Sequence, residues 1–361
     1  MSNIKERHLF PGGNTTKGFY SFYKYIMPQE EANRIICLKG GPGTGKSSFM
    51  KKIGSHFKTL GYTIEYHHCS SDNSSLDGVV IKELNIAILD GTSPHMVDPV
   101  TPGAVDEILN LGTALDTAFL EKNKSKILSI CKKISQNFSR AYMFMNSAKG
   151  VHDDWSMLNS QAVDNVKLHK LDQALKEKIF NSEKSGYGSE RHLFSTAFTP
   201  DRIVSFNEDL SKECENLYIL KGGPGLKKTT ILKSIGLEAQ KRGYNVEYFH
   251  DPFIPERIEN IIIDELASGI FTTNEISRLH YSGVQYNMND ICDENVLCVN
   301  APEIDFDKSQ FDILNDKALA CISESHILHD ELETYYISAM DFDMVDKLYE
   351  YTINEITSYI K

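Results

Sequence analysis

Long apolar runs are missing from this 361-residue chain. No stretch of about eighteen residues is apolar enough to cross a bilayer, and no basic-then-apolar leader is present, so neither a membrane span nor a secretory signal is expected. Paired cysteines are missing as well. The seven cysteines (37, 69, 131, 214, 292, 298 and 321) are odd in number and none stands in a C-x-x-C pair. That pattern argues against a disulfide scaffold or a zinc ribbon, and for reduced thiols in a cytoplasmic protein. Positive charge is the third shortage: 38 Lys and Arg against 50 Asp and Glu give a net charge of −12. A surface of that sign does not grip nucleic acid over its whole extent, although a local basic patch is compatible with it. What remains is an ordinary globular composition, 41% apolar and 24% charged, on a chain long enough for two domains with full cores.

Against this background one stretch stands out, from Arg34 to Ser48. Its Gly40-Gly41-Pro42-Gly43-Thr44-Gly45-Lys46-Ser47 fits G-x-x-x-x-G-K-[ST], the phosphate-binding loop (Walker A) of nucleoside triphosphatases. The context fits too. Ile35, Ile36, Cys37 and Leu38 read as a buried strand before the loop. Phe49, Met50, Ile53, Phe57 and Leu60 mark one face of a helix after it. Glycines let such a backbone wrap a triphosphate with its N–H groups inward, and the helix start adds a positive dipole end. In this arrangement Gly40, Gly41, Gly43, Thr44, Gly45 and Ser48 line the nucleotide, Lys46 reaches its β- and γ-phosphates, and Ser47 completes a Mg2+ shell. No N-K-x-D guanine signature is present, so ATP is the expected nucleotide by frequency.

The chain is also a duplication. Residues 38–66, LKGGPGTGKSSFMKKIGSHFKTLGYTIEY, return 182 positions later as LKGGPGLKKTTILKSIGLEAQKRGYNVEY, without a gap. Glu6-Arg7-His8-Leu9-Phe10 returns as Glu190-Arg191-His192-Leu193-Phe194, and His152-Asp153-Asp154 as His329-Asp330-Glu331. Two modules follow, residues 1–183 and 184–361, joined through the polar, glycine-bearing segment 181–189. Within each module, alternating strand and helix signals predict an α/β fold: tandem P-loop NTPase-like parallel sheets of three or four strands, with ligands at the carboxyl ends. Ile127, Ile130, Ile134, Phe138, Ala141 and Met145 predict one helix. Val151, Trp155, Leu158 and Ala162, continued by Leu171, Leu175 and Ile179, predict a second, the two forming a helical hairpin appended to the sheet.

The repeat also sorts the chemistry. Asp90 ends the apolar run Ile86–Leu89 and is the expected Walker B partner of Mg2+. Ile261-Ile262-Ile263-Asp264 imitates that motif, but the offset of 182 aligns Asp90 with Thr272 and leaves Asp264 as a surface-turn residue. The second loop keeps Gly222, Gly223, Gly225, Lys228 and Thr229 as nucleotide contacts, yet Gly45 is replaced by Lys227, whose side chain is expected to obstruct phosphate or demand a different backbone path. The first module therefore reads as catalytic. The second reads as vestigial or regulatory, or as a site that binds nucleotide without hydrolysing it. Asp72, at the end of the second strand, is the expected general base, with a loop-capping role as its alternative; His95 is a second choice. The two His-Asp pairs suggest helix–helix hydrogen bonding more than metal. Lys122, Lys124, Lys126, Lys132, Lys133 and Arg140 read as a solvated helix face before they read as an anion-binding patch.

The paired GGPG loops, the repeated Arg-His-Leu-Phe openings and the segment Asp90-Gly91-Thr92-Ser93-Pro94-His95 together resemble a bacterial family of tandem P-loop ATPases. That family is Gram-positive in distribution and sometimes labelled nucleotide kinases. The resemblance covers nearly the whole chain and implies an ATP-binding cytosolic protein with no established substrate. Three functions follow as expectations: Mg2+-dependent ATP hydrolysis in the first module, phosphotransfer to a small acceptor near Asp72, or a non-catalytic ATP-sensing switch that presents its helices to a protein partner.

Overall fold

The computed structural model describes residues 6–92 and 98–360. His95, with Ser93 and Pro94, lies outside the described residues. Each repeat begins with an edge strand and a short hairpin: β1 (Glu6–Leu9), β2 (Gly12–Thr15) and β3 (Gly18–Ser21). The loop strand β4 (Arg34–Lys39) and helix α1 (Lys46–Thr59) follow, then β5 (Ile64–His68), β6 (Leu76–Ile81), β7 (Ile86–Asp90) and β8 (Asp106–Asn110). A short α2 (Thr117–Lys122) leads into α3 (Lys124–Gln161) and α4 (Asn165–Ile179). The second repeat contributes β9 (Glu190–Leu193), β10 (Thr196–Thr199), β11 (Arg202–Ser205), α5 (Asn207–Ser211), β12 (Asn216–Lys221) and α6 (Lys228–Lys241). It continues through β13 (Val246–His250), β14 (Ile258–Ile263), β15 (Ser268–Thr273), β16 (Val284–Asn287), α7 (Glu294–Ile337) and α8 (Phe342–Thr357).

The protein is α/β, with two six-stranded sheets of one topology, β1-β5-β6-β7-β4-β8 and β9-β13-β14-β15-β12-β16. The sheets are mixed, not parallel as the sequence pattern suggested, and larger than three or four strands. In the first, β6 runs antiparallel to both β5 and β7, while β1, β4, β7 and β8 pair in parallel. The connections dictate this. A short polar loop separates β5 from β6, and a single 3-10 turn (Lys82–Leu84) joins β6 to β7, so neither leaves room for the crossover that parallel neighbours require. Both faces of the central strands are covered, which is why Ile35 through Leu38 are buried without alternation.

The helical segments depart further from expectation. Residues 124–161 form one helix that passes straight through Gly150; the break falls at 162–164, where the Asp164 carboxylate caps α4 by accepting from Val166 and Lys167 N–H. Nor is the hairpin appended to its own sheet. Leu175 and Ile179 of α4 pack with Ile231, Leu232 and Ile235 of α6 in the second repeat. Reciprocally, Val345 and Ile356 of α8 pack with Phe49, Ile53 and Phe57 of α1 in the first. The two repeats exchange terminal helices. Each crossing is pinned by the same pair of backbone hydrogen bonds: Asp116 to Ala339 and Asp341 to Ala114 at one, Asp293 to Ala162 and Asp164 to Ile291 at the other. Between the crossings α3 and α7 run antiparallel, so that Ile127 and Ile130 near the start of α3 meet Leu332 near the end of α7, while Trp155 meets Phe311 at the opposite end.

A quasi-twofold axis relates the repeats where the sheet edges meet. Phe10 and Phe194 exchange both backbone hydrogen bonds, at 2.9 and 3.0 Å. Beside them Arg7 and Arg191, from the edge strands, share the carboxylates of Glu65 and Glu247. Burial alone would push Glu65 up, but the Arg191 and Lys82 charges hold it well below the usual carboxylate range.

Candidate functional site

The first glycine-rich loop links β4 to α1. Gly43 and Gly45 take positive φ (66° and 87°), turning the chain so that α1 starts at Lys46. Thr44 is buried and its Oγ1 donates to the Gly41 carbonyl at 2.8 Å, closing the loop on itself. Lys46 Nζ donates to the Gly40 and Gly41 carbonyls at 3.1 and 2.7 Å and stands 3.6 Å from Asp90 Oδ2. Asp90 reaches this position because β7 pairs in parallel with β4, placing Asp90 directly beside Leu38. Its Oδ1 accepts from the Thr92 N–H at 2.8 Å, and the Thr92 hydroxyl donates to Gly40 O, also at 2.8 Å. Ser47 Oγ accepts from Leu76 N–H at 3.1 Å, while Ser48 faces solvent. The structure thus gathers Lys46, Ser47 and Asp90 around one loop. Asp72 is bonded within its own loop: it accepts from the Ser74 N–H, the Ser74 hydroxyl and the Ser75 hydroxyl at 3.2, 2.8 and 2.5 Å. Burial raises its carboxyl, and those hydroxyls together with His326 bring it below its ordinary value. Asp72 caps its own loop.

Sequence reasoning missed what covers this site. The last turns of α7, from the other repeat, lie on the glycines. Gly43 N–H donates to Glu333 Oε1 at 3.0 Å, and a Cβ at Gly41 would stand 2.6 Å from the Tyr336 ring. The start of α8 adds Phe342 near Gly45. The available signal was the late repeat block His152-Asp153-Asp154 and His329-Asp330-Glu331, which marks the helix turns that reach the loops. His329, Asp330 and Glu333 bring one ligand atom each within 4.8 Å of one another, on an exposed to half-buried helix face. His152, by contrast, is buried with its Nε2 2.5 Å from Glu275 Oε1, in the loop after β15. That contact joins helix to loop, where helix–helix bonding was expected. Lys122, Lys124, Lys126, Lys132, Lys133 and Arg140 of α2 and α3 are all exposed.

The second loop keeps the left-handed turn of the first but carries different side chains around it. Lys227 adopts the left-handed conformation of Gly45 (φ 64°), so the turn is kept; the residue is exposed and lines the cavity described below. The different backbone path that was one of the two expectations is therefore not taken. The register places Thr272 beside Leu220, as Asp90 lies beside Leu38, and Asp264 sits in an exposed turn. Lys228 Nζ donates to the Gly222 and Thr273 carbonyls in place of a carboxylate, and burial lowers its affinity for a proton. Thr229 Oγ1 donates to Ile258 O at 3.2 Å. Gly223, Gly225 and Pro224 are covered from α3: Asn159 Nδ2 donates to Pro224 O at 2.8 Å, and a Cβ at Gly225 would stand 2.0 Å from the Ser156 carbonyl. Behind the loop, a cavity of about 490 Å³ takes in Lys228, Arg257, Asp251, Glu259 and Glu275. Burial, reinforced by the Asp251 charge, pushes Glu259 up to about 7, and its Oε2 lacks a hydrogen-bond partner among the described residues. Three acids thus stand where the first repeat has Cys69, Asp77 and Ser93 at the matching positions.

Comparison with protein-family models, with curated proteins and with solved structures gives no match to this chain.

Proposed function

We propose that the first loop is a P-loop that binds ATP with Mg2+ and hydrolyses it, and that the second repeat is its non-hydrolysing, controlling half. One observation carries this reading: Lys46 and Asp90 meet at 3.6 Å over a left-handed glycine turn at the head of α1, on the carboxyl ends of two adjacent parallel strands. Such strand ends present ligands in α/β sheets, and a helix start preceded by glycines favours phosphate. The residues fit the metal as well. Ser47 and Asp90 offer oxygen ligands, the donor type that Mg2+ prefers, and Asp90 is nearly buried, with Lys46 and Thr92 against its carboxylate. When bound, Mg2+ would neutralise charge building on the transferred phosphoryl group. Lys46 would leave the loop carbonyls for the phosphates, and Asp90 would then be free of its ion pair. The second loop supports only the weaker role, with threonine at the aspartate position and three acids behind the phosphate nest.

The tight cover from the other repeat favours a slow switch over rapid turnover as the physiological mode. Mass spectrometry of co-purified ligand, then Mg2+-dependent phosphate release by wild type, Lys46→Ala and Lys228→Ala, tests the assignment. Lys46→Ala is expected to lower ATP affinity at least about tenfold and abolish release, from the loss of charge-assisted bonds to phosphate. Lys228→Ala should leave release in place. Equal release from wild type and Lys46→Ala, or nucleotide retained only through Lys228, would overturn it.

A further inference from the structure

We propose that Glu333 is a built-in competitor for the anion seat of the first loop, so that the second repeat gates the first; this rests on the nucleotide reading above. A nest of backbone N–H groups before a helix start binds an anion, and here one of those N–H groups, that of Gly43, already donates to a carboxylate, Glu333 Oε1, at 3.0 Å. The contact is built in. A Cβ at Gly43 would stand 3.0 Å from the Glu333 carbonyl oxygen, and Tyr336 seals Gly41 in the same way. A phosphate oxygen that takes the Gly43 N–H must therefore expel a like charge and lift the last turns of α7.

The second copy supplies an internal control. Counting from the shared His-Asp motif, Ser156 occupies the position of Glu333, and it lies over Gly225 as Glu333 lies over Gly43. The acid is present only above the loop whose Lys–Asp pair is intact. Lifting α7 has a defined consequence, because α7 is packed antiparallel on α3 and the far end of α3 rests on the second loop through Ser156 and Asn159. Trp155, the single tryptophan of the chain, sits at that far end against Gly223 and so reports on it.

The test uses the full chain and Mg2+–ATP as titrant, comparing wild type with Glu333→Gln and Glu333→Ala. Glu331→Gln serves as a control for net charge on the same helix. Both Glu333 variants are expected to bind at least about tenfold more tightly, the scale of one charge-assisted hydrogen bond removed from the competing state, while Glu331→Gln binds as wild type. ATP should change Trp155 emission in the wild type. In Glu333→Ala, emission should already lie near the bound value before ATP is added. Wild-type binding with unchanged affinity in both Glu333 variants, at preserved thermal midpoints, would overturn the gate while sparing the nucleotide site. Absence of ATP binding in wild type and every variant would remove the nucleotide reading and the gate together.

Discussion

Glu65 gives the sharpest test of how the two repeats are held together. Its side chain has no exposure to solvent, accepts two bonds from Arg191 at 2.6 and 2.9 Å, and accepts a third from Arg7 at 3.0 Å. Glu247 is its counterpart across the quasi-twofold, with a side chain 20% exposed and bonds to Arg7 at 2.8 and 3.2 Å. Glu65→Ala strands two buried guanidinium groups on Glu247 and Glu213. Removing one partner of a buried ion pair costs about 3–5 kcal/mol, because the surviving charge keeps its desolvation penalty. Glu247→Ala leaves the more buried carboxylate in place and admits water more easily, so about half that loss is expected. Against a total stability on the order of 5–15 kcal/mol, the first loss is large and the second moderate. Urea unfolding with linear extrapolation measures both, and an unchanged slope would show that the unfolded state is the same. A loss below about 1 kcal/mol for Glu65→Ala, or a larger loss for Glu247→Ala, would refute the view that Glu65 anchors both arginines.

Three further outcomes follow from other parts of the fold. His8 Nδ1 lies 2.8 Å from His68 Nε2, as His192 does from His250, and burial lowers His68 to about 4 and His250 to about 3. The unfolded chain then takes up protons first, so stability present above about pH 6.5 should fall as pH drops towards 4, by ~1.4 kcal/mol per pH unit for each such histidine; His68→Gln should lessen the fall of the urea midpoint measured between pH 7.5 and 5, leaving the share of His250. Residues 1–183 expressed alone lose the α8 cover over α1 and expose Leu175 and Ile179 of α4. Light scattering is expected to show a dimer or larger assembly, and a folded monomer would contradict the helix exchange. Lys227→Gly removes a left-handed non-glycine residue and should raise stability by about 1 kcal/mol, read as a shift of the urea midpoint.

The sequence carries the local parts of this architecture plainly. The loop, its strand and the start of α1 were legible because glycine spacing and apolar periodicity act within a few residues. The ungapped offset aligned Thr272 with Asp90 correctly, since β4 and β7 keep the same register in both copies. The direction of β6 was readable in principle from the short loop before it, but three apolar residues do not reveal which way a strand runs. The change of apolar stripe between Met145 and Val151 suggested a helix break. The structure leaves open space beside Gly150, so nothing there forces one, and the real stop was announced by the capping Asp164. Least legible was the exchange. Leu175 and Ile179 show that α4 has an apolar face, while the choice of α6 over α1 as its cover depends on where the long α3 delivers it. Glu333 and Tyr336 were hidden for the same reason.

A chain whose halves trade their last helices has the form of a helix-swapped dimer carried on one polypeptide. In such a pair encoded as separate copies, any change to one phosphate loop appears at both. Joining them through residues 181–189 lifts that constraint: Gly45 can persist while its counterpart becomes lysine, Asp90 while its counterpart becomes threonine, and Glu333 can guard one door where serine stands at the other. Fusion is what allows a symmetric body to hold two unequal sites.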